Sequence, residues 1–164
     1  MNATITSTAH YVPEKVLTNS DLEKLVDTSD EWIKSRVGIN QRHVVSDGEA
    51  SSDMSTKVAH SLLEKRGISA ANIDVIIIGT VTPDHPTPST AAIVQNNINA
   101  ENAWAFDLSA ACSGFLYALE TGAKFIESGQ YKTIMVIGVD TMTSILDFED
   151  RETCIIFGLS LIHI

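Results

Sequence analysis

Cysteine, positive charge and long apolar runs are all scarce in this chain of 164 residues. There are two cysteines, and 11 basic residues stand against 21 acidic ones, which gives a formal net charge of -10. Two cysteines without metal-ligand spacing predict neither a disulfide framework nor a zinc site. The negative charge argues against nonspecific binding to nucleic acid and against binding to an anionic membrane surface.

The longest unbroken apolar runs are short, as in "VIII" at residues 75–78, and they predict no transmembrane helix. The first residues, "MNATITSTAHYVPEK", contain neither a basic segment nor an apolar segment of signal-peptide type. The five histidines lack metal-ligand spacing, so we interpret them as surface or loop residues and predict no metal site. Hydrophobic residues make up 44% of the chain, which is ordinary for a globular domain. We therefore expect a soluble cytoplasmic protein with one compact domain.

Strand and helix patterns alternate along the chain, which predicts an α/β fold with right-handed parallel crossovers. The run "IDVIIIGTV" is rich in β-branched residues, as in a strand that is covered on both faces. We expect Asn19, Ser29 and Ser89 to cap the starts of helices, and Gly38 and Gly67 to follow their ends. The predicted strands are residues 3–12, 73–81, 103–108, 132–140 and a last one from 153, and the predicted helices are 19–26, 29–36, 51–67, 90–98 and 112–129.

The segment "DLSAACSGFLYAL" places Cys112 among small residues where an apolar helix begins. The unpaired amide groups and the dipole at a helix start stabilise a negatively charged sulfur. Small neighbours also let a substrate approach the thiol. Two interpretations remain open at this point, an activated nucleophile and a structural buried cysteine. We interpret Cys154, within "ETCIIFG", as a core residue of an apolar strand.

Four segments of the chain carry a resemblance to one family. The segment "AFDLSAACSGFLYAL" resembles the active-site segment of β-ketoacyl-acyl-carrier-protein synthase III, a condensing enzyme of the thiolase superfamily. The segments "TNSDLEKLVDTSDEWIKSRVGINQRHV", "GTVTPD" and "DFEDRETCIIFG" are similar to other parts of that family, and the match covers about residues 5–158. The resemblance implies a thiolase-like fold, with residues 1–158 forming the N-terminal half of a five-layered α/β/α/β/α architecture.

The resemblance also implies a reaction, with Cys112 attacking a short acyl-CoA thioester. The acyl-enzyme would then condense with malonyl-acyl-carrier protein, with loss of carbon dioxide, and begin fatty-acid synthesis. The matching CoA-binding positions are Thr28, Trp32, Arg36 and Arg151, with CoA as a substrate and no separate cofactor. Trp32 and Arg36 are four residues apart and share one helical face, where an indole can stack on adenine and a guanidinium can pair with phosphate. Without the resemblance, Trp32 is compatible with a half-buried packing role, and Arg36 with a solvated surface charge.

The chain departs from the family pattern after Gly158, where residues 159–164, "LSLIHI", form an atypical tail. The His and Asn of the family's catalytic triad, and its basic surface for the acidic carrier protein, belong to the other half. We therefore expect a truncated, condensation-incompetent fragment of a parent that forms a homodimer.

Thr87 stands where some family members carry an aromatic residue, and the length of the acyl primer stays open. The alternative functions are a starter-loading ketosynthase of secondary metabolism and a non-catalytic thiolase-like fragment that dimerises or binds CoA.

Overall fold

The computed structural model describes residues 2–158, which form two compact units. The first unit contains residues 2–11 and 50–140, and the second contains residues 12–49 and 141–158. The helices are α1 (Asn19–Leu22), α2 (Asp30–Val37), α3 (Ser51–Arg66), α4 (Thr90–Asn97), α5 (Gly114–Glu127) and α6 (Arg151–Cys154). The strands are β1 (Val16–Thr18), β2 (Gln41–His43), β3 (Val75–Gly79), β4 (Trp104–Leu108) and β5 (Ile134–Gly138).

The first unit is an α/β structure around a parallel sheet of order β4-β3-β5. All five residues of β3 are buried, because this strand is central in the sheet and both of its faces are covered. Ala118 of α5 packs with Val75 and Ile77 on one face of the sheet. The parallel pairing confirms the α/β prediction, and Gly79 lies opposite both Leu108 and Gly138 at the carboxyl ends of the strands.

A cavity of about 820 Å³ opens beside β5 in the first unit. One wall is formed by residues 3–7, and the others by side chains from α3, α5 and β5. Within residues 2–158 the outer edge of β5 has no paired strand. Residues 3–12, predicted as a strand, have no regular secondary structure, so that prediction is wrong for the described chain. A strand exists only where another strand pairs with its backbone, and residues 3–12 have no paired strand among the described residues.

The second unit combines the antiparallel pair β1–β2 with α1, α2 and α6. Its core contains Leu22, Ile33, Cys154 and Ile155. Residues 153–158 do not form the predicted strand: Thr153 and Cys154 belong to α6, which Asp150 caps. Cys154 is fully buried, as predicted for a core residue. Among residues 2–158, no helix combines the length and apolarity that crossing a bilayer requires.

Candidate functional site

Cys112 lies in a short 3-10 turn, Ala111–Ser113, between the end of β4 and the start of α5. Helix α5 therefore begins at Gly114, two residues later than predicted. Cys112 is exposed among the described residues, which favours an accessible thiol over a buried structural cysteine. Ala111 has a φ of 45°, a left-handed conformation that costs a residue with a Cβ atom about 1–2 kcal/mol. Strain of this kind is typical of functional turns.

Glycines at the ends of two strands let α5 approach the sheet directly behind this turn. A Cβ atom on Gly79 would lie 2.8 Å from the carbonyl carbon of Gly114, and one on Gly138 would lie 2.9 Å from the Cβ atom of Phe115. Both distances are shorter than real side chains allow, so no larger residue fits without a shift of the backbone. The start of α5, and with it the Cys112 turn, is thus held against the carboxyl edge of the sheet.

Two carboxylates that sequence reasoning missed support the loops at this edge. Asp107 accepts hydrogen bonds from the backbone N–H groups of Thr90, at 2.7 Å, and Ala91, at 2.8 Å, and so holds the start of α4 against β4. Oδ1 of Asp140 accepts from the backbone N–H of Val81 at 2.7 Å and from two threonine hydroxyls. An aspartate inside the apolar run "AFDL" was the available signal, since even a half-buried carboxylate needs hydrogen-bond donors.

The start of α5 differs from the starts of α2 and α4 in its capping. Ser29 and Ser89 accept hydrogen bonds from the first turns of α2 and α4, which confirms both predicted caps. At α5 the N-cap residue is Ser113, and its side chain makes no capping hydrogen bond. The Ser113 side chain therefore does not occupy the backbone N–H groups at the start of α5, next to the exposed thiol of Cys112.

In the second unit, Trp32 and Arg151 are 119 positions apart in the sequence and in contact in the structure. The guanidinium carbon of Arg151 lies 4.6 Å from the centroid of the Trp32 ring, a cation–π geometry. Trp32 is partly buried against the core around Ile33 and Cys154. Two of the four predicted CoA-binding residues therefore lie together, and α6 positions the arginine.

The other two predicted CoA-binding residues belong to the same unit. The hydroxyl of Thr28 is buried and has no hydrogen-bond partner among residues 2–158, which leaves an unpaired polar group near the start of α2. Arg36 lies on α2 one turn after Trp32 and is exposed. Cys112 belongs to the first unit. Among residues 2–158, no cluster of three His, Cys, Asp or Glu side chains is arranged to hold a metal ion.

A buried polar group holds the segments that carry Trp32 and Arg151. The prediction that Asn19 caps α1 is wrong, because Thr18 is the N-cap residue. The side-chain amide of Asn19 instead donates to Asp30 and to the carbonyl of Ile39, while its oxygen accepts from Arg42. Arg42 also donates to the carbonyl of Ile155 at 3.3 Å, just after α6. Burial lowers the pKa of Arg42 and raises the pKa of the Cys154 thiol.

Acid should release the cap of α6 and with it the position of Arg151. The hydroxyl of Thr153 and the backbone N–H of Glu152 bond to the carboxylate of Asp150 and lower its pKa below the usual 3.8. A lowered pKa in the folded state means that this stabilisation is present above about pH 4 and is lost as the pH falls below that. We expect the fluorescence of Trp32 to change in that range.

The change should be measured in a Trp104→Phe background, which leaves Trp32 as the single tryptophan. Asp30 also has a lowered pKa, because of its bonds to Lys34 and Asn19. The acid-induced change in Trp32 fluorescence must therefore be compared between the parent and Asp150→Asn. Identical acid titrations of the two proteins would contradict the role of the Asp150 cap.

Comparison with known proteins gives a consistent family. The statistical model of a family described as 3-oxoacyl-[acyl-carrier-protein] synthase III matches residues 106–159. A β-ketoacyl-[acyl-carrier-protein] synthase III of Chlorobaculum tepidum is 60% identical over 159 residues, which are 96% of this chain and 48% of the relative. A protein of the same name from Koribacter versatilis is 56% identical over 156 residues, 95% of this chain and 47% of the relative. The chain thus spans about half the length of these curated relatives.

Solved structures agree with the sequence relatives. The 3-oxoacyl-[acyl-carrier-protein] synthase III of Aquifex aeolicus superposes with a TM-score of 0.90 at 46% identity, and the match covers 93% of this chain and 49% of that one. The priming β-ketosynthase of the R1128 polyketide pathway also reaches 0.90, at 32% identity, and the match covers 93% of this chain and 46% of that one. The fold of the chain is therefore thiolase-like, as the resemblance implied.

Proposed function

We propose that this chain, which belongs to the β-ketoacyl-[acyl-carrier-protein] synthase III family over about half the length of its relatives, accepts an acyl group from a short acyl-CoA on Cys112. The observation that carries the proposal is the position of this thiol. It is exposed on a strained turn, it lies directly before a helix whose N-cap side chain makes no capping bond, and it is fixed by glycine contacts at the sheet edge. An accessible sulfur on a rigid support is what nucleophilic catalysis needs.

The acyl transfer follows from this placement. The Cys112 thiolate attacks the thioester carbonyl, and the amide groups at the turn stabilise the tetrahedral oxyanion. The bond from the carbonyl carbon to the CoA sulfur then breaks, and CoA leaves as a thiolate that takes up a proton. The products are acyl-Cys112 and free CoA. No hydrogen bond joins Cys112 to a histidine within residues 2–158, so the helix start is the proposed source of thiolate stabilisation.

Nucleotide recognition is proposed for Thr28, Trp32, Arg36 and Arg151. Trp32 offers an aromatic face for adenine, and Arg151 already lies against that face. Arg36 supplies a positive charge one turn away for phosphate, since a guanidinium pairs readily with phosphate oxygens. The buried hydroxyl of Thr28 lacks a partner in the described chain, and a ligand would satisfy it.

The activity of the longer relatives extends the proposal. In this extended proposal, acyl-Cys112 condenses with malonyl-acyl-carrier protein to give a 3-ketoacyl-carrier protein. This reaction is the initiating step of fatty-acid synthesis in the cytoplasm. The full-length form would be a homodimer. We propose that this chain of 164 residues performs only the acyl transfer, because stabilisation of the enolate formed on decarboxylation needs further groups from the other half.

Intact-mass spectrometry after incubation with acetyl-CoA tests the acyl transfer. We expect a mass increase of one acetyl group that is absent from Cys112→Ala and retained in Cys154→Ala, since Cys154 is fully buried. Iodoacetamide should alkylate Cys112 faster than it alkylates free glutathione. A folded chain without adduct, or an adduct that survives Cys112→Ala, would contradict the proposal. Added malonyl-acyl-carrier protein should yield no 3-ketoacyl product from this chain.

A starter-loading ketosynthase is the second candidate, favoured by the likeness to the R1128 priming β-ketosynthase. Thr87, with its small side chain, stands in the loop between β3 and α4 and leaves the acyl length undecided. A series of acyl-CoAs of increasing length separates the two candidates. Fastest acylation by acetyl-CoA supports the initiation of fatty-acid synthesis, whereas a preference for longer acyl groups supports starter loading.

A further inference from the structure

Arg151 covers the face of Trp32 that the proposed function assigns to adenine. We propose that Arg151 acts as a movable cover of Trp32, so that a planar base reaches the indole only after the guanidinium has moved aside. The inference rests on the proposed nucleotide site, and it adds an opening step to binding. The observation behind it is the distance of 4.6 Å between the guanidinium carbon and the ring centroid.

This distance leaves no room for a base between the two groups. Stacked groups touch at about 3.5 Å, so a base held between an indole and a guanidinium needs about 7 Å. The guanidinium must therefore retreat by more than about 2 Å, or leave the ring altogether, before a base of that thickness can enter. A preformed clamp would show a gap at this place, and the structure shows direct contact.

The two sides of the contact are held very differently. Trp32 lies on the eight-residue helix α2 and packs against Ile33 and Cys154 in the core. Arg151 is an exposed side chain at the first position of the four-residue helix α6. Within residues 2–158 its guanidinium makes no salt bridge, and it contacts the indole instead. Trp32 is therefore held in place by the core, and the side chain of Arg151 is the part that moves.

The backbone that carries Arg151 does not need to move when the side chain moves. Cys154 and Ile155, three and four residues further on, are buried in the core, and Asp150 caps the helix from the other side. Rotation of an exposed arginine side chain is fast compared with a movement of this anchored segment. The opening is therefore a side-chain movement that breaks one cation–π contact, which slows association by about 2–5-fold.

Accessibility of Trp32 to acrylamide tests the cover without any ligand. In the Trp104→Phe background Trp32 is the single tryptophan, and acrylamide is uncharged, so that loss of a charge does not itself change its approach. We expect Arg151→Ala to raise the quenching constant about 2-fold. Lys34→Ala, which removes a positive charge from the same helix α2, should leave it unchanged. Equal quenching of the parent and Arg151→Ala overturns the inference.

Stopped-flow fluorescence with CoA tests the opening step. Arg151→Ala should associate about 2–5-fold faster, because no cover has to move, and should also dissociate faster, because the base loses one stacking partner. Arg151→Lys, which keeps the charge without the flat guanidinium, should fall between the two. Unchanged or slower association of Arg151→Ala contradicts the cover. If CoA alters the fluorescence of no variant, the proposed nucleotide site at Trp32 fails, and the acrylamide result alone then decides the cover.

Discussion

Gly79→Ala is expected to lower the free energy of unfolding by about 1–3 kcal/mol and to slow the acylation of Cys112. The added Cβ atom would lie 2.8 Å from the carbonyl carbon of Gly114 and 3.0 Å from the backbone nitrogen of Phe115. These are backbone atoms at the start of α5 and cannot rotate away. Strand β3 and helix α5 must therefore separate, and the turn that carries Cys112 moves with the helix.

The matched control is the other glycine of the same contact. A Cβ atom on Gly114 would have its nearest neighbour at 3.6 Å, which is an ordinary van der Waals distance. We expect Gly114→Ala to leave the unfolding midpoint nearly unchanged. Chemical unfolding followed by circular dichroism and the rate of acetyl-CoA labelling give the two measurements. Equal effects of the two substitutions would contradict the close approach of β3 and α5.

Asn19→Ala is expected to destabilise the second unit by about 3 kcal/mol. Asn19 is 1% exposed, and it makes three side-chain hydrogen bonds, of 2.8 Å to Ile39, 2.9 Å to Asp30 and 3.0 Å to Arg42. Alanine leaves the carbonyl of Ile39 without this donor and removes an acceptor from a buried guanidinium. Most of the expected cost is the desolvation of these groups once they lack a partner.

Unfolding of the second unit is followed by the emission of Trp32 in the Trp104→Phe background. Asn40→Ala is the control, because Asn40 is exposed, lies in the same unit and makes no side-chain hydrogen bond within the described residues. We expect its free energy of unfolding to stay within about 0.5 kcal/mol of the parent. A loss for Asn19→Ala no larger than the loss for Asn40→Ala would show that the buried network adds nothing to stability.

Local chemistry explains what the sequence predicted well. Ser29 and Ser89 cap helices because a serine oxygen accepts from the first turn, and Gly38 and Gly67 follow helices because each adopts a positive φ. The central strand was predictable because five consecutive buried residues must be apolar. These features depend on neighbours in the sequence, and sequence patterns describe such neighbours directly.

Contacts between distant segments, or their absence, explain which sequence-based predictions were wrong. The strand predicted at residues 3–12 has no partner in the described chain, and propensity alone does not supply one. Thr153 and Cys154, at the start of the β-branched run, are helical because the Asp150 carboxylate binds the Thr153 hydroxyl and caps α6. Asn19 and Thr18 are both good capping residues, and only the buried Arg42 shows why Asn19 points inward.

The features of the candidate site also fall into those that the local sequence predicts and those that depend on contacts between distant segments. The position of Cys112 at a turn before a helix was predictable from its own neighbours, although the 3-10 turn displaced the helix start by two residues. The contact of Trp32 with Arg151 joins segments 119 positions apart, and no periodicity links them. Only the resemblance to a family placed both residues in one site. The supporting roles of Asp107 and Asp140 needed the structure, because their donors lie on other segments.

The open edge of β5 has a consequence for how this chain behaves as it is made. Within residues 2–158 this edge lies beside a cavity of about 820 Å³ that has both apolar and polar lining residues, so a newly synthesised molecule presents unpaired strand groups and apolar side chains to its neighbours. Such edges recruit other chains, and the recruitment grows with concentration while intramolecular folding does not. Slow production in dilute conditions therefore favours the monomeric form, and crowded synthesis favours inclusion bodies.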